Sequence, residues 1–418
     1  MTLPKEFISQ MECLLEEDAP AFFEAMQRPP EVSIKINRRK CVSPEETGYA
    51  DLAPVKWCES GYYLPERPKF TLNPLIHAGV FYVQDASSMI YEEIARKIIP
   101  MALDTGHPLR VLDLCAAPGG KTTSLINAVP DGTLVVANEF IGSRASVLKE
   151  NLLKWGYPDI IITNSPTSRF AMIPEAFDVV AVDAPCSGEG MMRKEEVAVS
   201  QWNPGLIRQC ASLQRQILDD AFATLKPGGF LIYSTCTFNR EEDEENVRYL
   251  VEELGMVAVD MEFPDSWGIG KAIRSPYPCV RFMPHLTRGE GLFAAVLRKE
   301  GDYPEAPARN EKAFNKTLSA KVKVICDGIP RTQLKGRDEV PTTESVLATD
   351  YRPGSLPEVD VDAETALSYL RHEALRLDEA IPKGYVVIKF QGHPLGIVKN
   401  LGNRANNLYP SPWRILNY

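Results

Sequence analysis

From Arg110 onward, short apolar runs alternate with longer segments whose apolar positions recur every three or four residues. The runs Val111–Leu114, Leu134–Ala137, Ile160–Thr163, Val179–Asp183 and Phe230–Tyr233 are rich in Val, Ile and Leu, the pattern of strands covered on both faces. The amphipathic segments Ser143–Trp155 and Leu206–Leu225 read as helices between them, the second ended by Lys226-Pro227-Gly228-Gly229. This alternation predicts an α/β fold: a parallel sheet with right-handed crossovers and helices on both faces. One more apolar strand, Leu292–Leu297, follows Gly289-Glu290-Gly291.

The flanks break that rhythm. Residues 1–100 read as an extension with a helix at Phe7–Leu15, a strand at Val32–Ile36, and loops at Pro29-Pro30 and Trp57–Pro74. The α/β body occupies 101–300. A polar, Pro-containing stretch at 301–320 reads as a linker, and 321–418 as a separate module ending in the strand-like Tyr385–Phe390. No internal repeat is visible.

Composition narrows the choices. The 418 residues carry a net charge of −10, which argues against a wholly basic nucleic-acid binder. The charge is uneven, however. No acid follows Glu379, whereas Lys383, Lys389, Lys399, Arg404 and Arg414 do, and Lys35, Arg38, Arg39 and Lys40 form a second cationic cluster. The acids of Glu241–Glu245 suit the first turn of a helix. No apolar run approaches the ~18 residues of a membrane span, and no basic-then-apolar leader opens the chain. A cytoplasmic protein without a membrane partner is expected. The nine cysteines include no CxxC and the five histidines no HxxxH or HExxH, so neither a disulfide framework nor a metal site is expected.

Candidate chemistry gathers at strand ends. Cys115-Ala116-Ala117-Pro118-Gly119-Gly120-Lys121 forms a glycine turn between the first parallel strand and a helix, a place where free N–H groups and close backbone approach hold a nucleotide-like cofactor. A phosphate-binding P-loop is excluded, because Cys115 stands where its first glycine is required. Glu139 ends the second strand at the ribose-grasping position, or else caps the next helix. Asp113, Cys115, Glu139, Ser165, Asp183, Cys186 and Cys236 all fall at or just beyond strand C-termini, where open parallel sheets bind ligands. Two thiols at neighbouring strand ends suggest that one adds to a substrate and the other assists release. Cys13, Cys41, Cys58, Cys210, Cys279 and Cys326 read as inert small hydrophobes.

Three segments together, Cys-Ala-Ala-Pro-Gly-Gly-Lys, Asp-Ala-Pro-Cys-Ser-Gly at 183–188 and Ser-Thr-Cys-Thr at 234–237, carry a specific resemblance. With Tyr82-Val83-Gln84-Asp85-Ala86-Ser87-Ser88 and Pro284-His285, the chain resembles the Sun-type RNA (cytosine-5) methyltransferases from roughly Glu31 to Lys299. The resemblance implies a Rossmann-like sheet, S-adenosylmethionine as methyl donor, Cys236 as nucleophile, Cys186 as the group assisting proton loss and release, and Asp183 on the base edge. It implies donor contacts from Cys115 through Lys121, from Glu139, Arg144 and Asp183, and from Ser165, which stands with Asn164 where many relatives carry an acid. The tail from Gly384 is similar to the PUA-like module of a small-subunit ribosomal RNA methyltransferase. Basic residues interleaved with Tyr385, Phe390, Tyr409 and Trp413 fit phosphate contact and base stacking, or the core of a small barrel. The implied partner is RNA, a cytosine of 16S rRNA in the small ribosomal subunit, with the N-terminal extension also contacting RNA. A tRNA cytosine is the alternative substrate. A non-catalytic ribosome-assembly factor, or a methyltransferase of proteins or small molecules, leaves the two cysteines without a use.

Overall fold

The structure, a computed structural model, describes residues 2–103, 109–302 and 311–416. Its central sheet contains nine strands, numbered along the chain: β1 (Arg110–Asp113), β2 (Leu134–Asn138), β3 (Ile160–Thr163), β4 (Phe177–Asp183), β5 (Leu225–Thr235), β6 (Met256–Val259), β7 (Val280–Phe282), β8 (Leu292–Lys299) and β9 (Val324–Asp327). Their order is β6-β8-β5-β4-β1-β2-β3-β9, with β7 paired to β8. β1 to β5 run parallel, whereas β8 and β9 are antiparallel to β5 and β3.

Successive side chains of each strand serve opposite faces, and both faces are buried. Val111, Val179, Ala181, Ile160 and Ile162 enter one core, while Leu112, Val180, Val182 and Ile161 enter the other. The helix Pro204–Thr224 begins where the Asn203 side chain accepts the Leu206 N–H, a standard N-cap, and lays Ile217, Leu218 and Ala221 on the second face. The reversal of strand order between β1 and β4 opens a crevice at their C-terminal ends.

Several expectations need correction. β5 starts at Leu225 rather than Phe230, so the Lys-Pro-Gly-Gly segment stops the helix but already belongs to the strand. Trp57–Pro74 is not all loop: Cys58–Leu64 pairs with Val32–Ile36 in a four-stranded N-terminal sheet. Gly61 in that strand makes room for Met89, whose sulfur lies 2.6 Å from where a Cβ would sit. Of the expected linker, residues 303–310 lie outside the described ones. Beyond them the helix Glu311–Lys321 buries Phe314 and Leu318 in the second core, and β9 extends the sheet edge. The α/β body therefore runs past residue 321.

The C-terminal sheet, built on Gly384–Phe390 and His393–Asn400, is not a detached module either. Val386, Ile388 and Leu395 share one core with Ile34, Ile36 and Phe81 of the N-terminal sheet. Tyr409 is core, packed on Tyr369 and Trp413. The two lysines of the Lys35–Lys40 cluster point inward, while Arg38 stays exposed: Lys35 is fully buried, its Nζ donating to the Gly120 carbonyl at 2.8 Å, and Lys40 donates to the carbonyls of Ala78 and Lys154. No described helix is long and apolar enough to cross a membrane.

Candidate active site

β1 delivers Asp113 to the crevice, and the chain then turns through Gly119 at φ 112° into the helix Gly120–Ala128. That left-handed conformation is one that glycine adopts without strain. Three side chains hold the turn by its carbonyls: Arg144 donates to Ala117 and Asn151 to Pro118, both at 2.8 Å, and Lys35 to Gly120. Asp113 accepts the Thr122 hydroxyl at 2.6 Å on one oxygen, while its other oxygen is buried without a partner. Burial pushes the Asp113 carboxyl up to about 7. Burial and then the charge of Asp113 push up the Cys115 thiol, so this residue offers backbone rather than sulfur.

At the end of β4, Asp183 accepts from Lys121 Nζ at 2.8 Å and from the Ser234 hydroxyl at 2.7 Å. Tyr91, in turn, shares a 2.7 Å hydrogen bond with Ser234. Burial opposes the Lys121 charge, yet Asp183, Cys236 and Asp113 together hold its pKa above the ordinary lysine value. The Cys186 and Cys236 sulfurs lie 3.3 Å apart. The Cys186 thiol is pushed well above its usual range, first by its hydrogen bond to Cys236, then by burial. As whole residues, Cys186 and Cys236 are both half-buried. A cleft of about 310 Å³ runs from the glycine turn past Lys121 and Asp183 to Gln84, Asp85 and Lys194 of the facing wall.

The residues that follow the second and third strands are held by contacts of their own. Glu139 accepts the Ile141 N–H at 2.8 Å, the helix-start contact, and its other oxygen faces Arg144 at 3.4 Å. Phe140 and Ile141 beside it are exposed apolar side chains that sequence reading passed over. Ser165 is not directed at the crevice: its hydroxyl accepts the Lys323 N–H at 2.8 Å and ties β3 to the segment entering β9. Ser165 is expected at the donor because it stands where many relatives carry an acid, and the partner of its hydroxyl comes from 158 residues along the chain. Asn164 likewise spends its amide on the carbonyls of Glu139 and Phe140. Among the described residues no cluster could hold a metal ion.

At one end of its parallel strands the sheet brings together a glycine turn and a two-thiol loop pair, the layout of a Rossmann-like transferase that holds a nucleotide-type cofactor beside a nucleophile. Comparison with known proteins sharpens this. A family model described as 16S rRNA methyltransferase RsmB/F matches residues 100–298, one for the N-terminal domain of 16S rRNA methyltransferase RsmF matches 3–86, and one for the methyltransferase RsmF PUA domain matches 356–415. Ribosomal RNA small subunit methyltransferase F of Salmonella agona (strain SL483) is 30% identical, covering 97% of this chain and 95% of its own. Its namesake from Enterobacter sp. (strain 638) is also 30% identical over the same shares. A solved methyltransferase homolog protein from Pyrococcus horikoshii is 26% identical, covering 71% of this chain and 95% of its own at a TM-score of 0.59. NSun6 from Pyrococcus horikoshii with SFG shares the fold at 19% identity, covering 72% and 99% at a TM-score of 0.59. The chain belongs to the 16S rRNA methyltransferase RsmB/F family.

Proposed function

We propose that this chain methylates carbon 5 of a cytosine in 16S rRNA of the small ribosomal subunit through a transient bond between Cys236 and the base. The observation that carries this reading is the 3.3 Å approach of the sulfurs of two half-buried cysteines beside Asp183 and Lys121. The residues fit the donor: a buried, unpartnered Asp113 oxygen and a glycine turn opening a helix stand at the crevice. The turn from Cys115 to Lys121, with Glu139, Arg144 and Asp183, would hold S-adenosylmethionine. When bound, it supplies an electrophilic methyl group.

Carbon 5 of cytosine is a weak nucleophile on its own. Cys236 bonds to carbon 6 as a thiolate and moves the C5–C6 electron pair toward carbon 5, which then takes the methyl group. Lys121 favours that anion, and Asp183 supports protonation at N3 on the base edge. Once the Cys236 electrons sit in the C–S bond, the hydrogen bond that kept Cys186 protonated is gone. Its proton can leave to solvent, and its thiolate can take the proton from carbon 5. The C5=C6 bond re-forms, Cys236 departs as thiolate, and the N3 proton leaves by way of Asp183 to solvent. The base must be unpaired or flipped to expose carbon 6. Exposed Lys399 on the C-terminal sheet, with Lys383 and Arg404 beside its strands, offers phosphate contacts, and Gln84 and Asp85 of the N-terminal extension line the facing wall of the cleft.

Incubating the chain with labelled S-adenosylmethionine and either 16S rRNA, assembled small subunits or bulk tRNA, then mapping 5-methylcytosine, tests the reading. Modified 16S rRNA cytosine is expected. Label confined to tRNA, or found on no RNA, overturns it.

A further inference from the structure

Two buried carboxylates outside the reacting groups join the loops that carry the thiols, and each reaches from one loop to the other. Glu189, three residues past Cys186, is fully buried and accepts five hydrogen bonds. Its Oε2 takes the Thr237 hydroxyl at 2.5 Å and the N–H groups of Phe238 and Asn239 at 2.7 and 2.9 Å, the residues that follow Cys236. Its Oε1 takes the Trp202 indole at 3.0 Å and the Gln10 amide at 2.8 Å. In return, Glu242, six residues past Cys236, is also fully buried and accepts the Ser187 N–H at 3.0 Å, the residue after Cys186. Gln214 and Asn239 occupy its remaining acceptor sites at 2.7 and 2.8 Å.

The middle of the arrangement is equally close. The Gly190 N–H donates to the Cys236 carbonyl at 2.8 Å, and a Cβ on Gly190 would lie 2.8 Å from the Gly291 carbonyl. The Ser187 and Thr237 hydroxyls bond at 3.0 Å. A buried carboxylate met only by neutral donors is costly unless every donor is aimed at it. A glutamine in its place presents an NH₂ to other donors. The acceptor-only chemistry is therefore specific to the geometry of these loops.

Resting on the two-thiol reading above, we propose that Glu189 and Glu242 are reciprocal positioning residues: together they set the Cys186 loop against the Cys236 loop and so fix the distance over which the RNA adduct is resolved. Cys236 directly follows β5, whose last residue, Thr235, is still paired with Phe293 of β8, whereas Cys186 lies three residues past the end of β4. The Cys186 loop has no such ladder and depends on the clamp. Loosening the clamp should slow release more than attack.

The test uses the full chain with Glu242→Gln, Glu189→Gln and the milder Thr237→Val, which removes one hydroxyl donor at nearly constant volume. In single turnover, the ratio of denaturation-resistant RNA–protein adduct to methylated product is expected to rise about tenfold in Glu242→Gln. That is the equivalent of one charge-assisted hydrogen bond. In RNA-free protein, diamide takes two electrons and two protons from the thiols and leaves a Cys186–Cys236 disulfide, mapped by mass spectrometry. Its formation is expected to be fast in the wild type and about tenfold slower in the variants at equal folded fraction. Thr237→Val should show both changes in weaker form and keeps the test open if a Gln variant fails to fold. A folded variant whose adduct and product fall together while cross-linking stays at the wild-type rate overturns the proposal. If the wild type forms no adduct at all, the functional reading fails, and cross-linking alone then decides the clamp.

Discussion

Replacing Lys121 by methionine removes the cation that faces both Asp183 and the Cys236 sulfur while preserving much of the buried stem. At the 2.8 Å contact to Asp183, an effective dielectric of about 20 gives an attraction of about 6 kcal/mol. Two effects reduce the net loss: methionine escapes the burial cost of the ammonium, and Asp183 keeps the Ser234 hydroxyl and some contact with water. About 1.5–3 kcal/mol should remain, a ten- to hundredfold fall in kcat/KM. The charge itself does not titrate near neutrality: the folded pKa lies above the ordinary 10.5, so its contribution is complete below that value and fades only as pH rises through the folded one. Methyl transfer from labelled donor to RNA measures the rate, and calorimetry of donor binding separates affinity from turnover. A variant within twofold of the wild type in kcat/KM would refute this reasoning.

Three further outcomes follow from the same contacts. Arg281 is buried between Asp243 and Glu244, at 3.1 and 2.5 Å, and donates to the Phe238 carbonyl at 2.8 Å; Arg281→Met should cost about 3–5 kcal/mol, read as a lower urea midpoint, and an unchanged midpoint contradicts it. The Asp113 carboxyl is raised from 3.8 to about 7 by burial, so the folded state holds the extra proton between those values and stability should fall as pH rises through that window. Urea midpoints should show a slope there that Asp113→Asn flattens; equal slopes in both proteins speak against it. Replacing exposed Lys383, Lys399 and Arg404 by glutamate should weaken RNA binding at all sequences and lower the salt slope by about 2 to 3, and an unaltered slope places phosphate contact elsewhere.

The sheet was legible because its strands are covered on both faces, so burial leaves an unbroken apolar signature in each run. The glycine turn and the two cysteines were legible because their chemistry is local, set within a few residues. What stayed hidden depends on partners far along the chain. Glu242, Asp243 and Glu244 read as first-turn acids of a helix, with nothing local to mark them as buried; all three are buried, because Ser187, Gln214 and Arg281 arrive from outside their segment. Lys35 reads as one member of a cationic cluster, but the Gly120 carbonyl 85 residues away claims it, and burial draws its pKa down to about 7. Ser165 looked like a donor contact until Lys323 supplied the N–H it accepts. The core shared by the N-terminal and C-terminal sheets leaves no trace in either alone, since each reads as a small sheet with one apolar face.

The assignment of roles to the two sulfurs is tested most directly by trapping. Full-length Cys186→Ala and Cys236→Ala variants would be incubated with S-adenosylmethionine and labelled 16S rRNA and resolved on denaturing gels. Cys186→Ala should accumulate RNA bound to protein, whereas Cys236→Ala should give neither adduct nor 5-methylcytosine. Equal trapping by both variants, or methylation that survives loss of Cys236, would contradict the account.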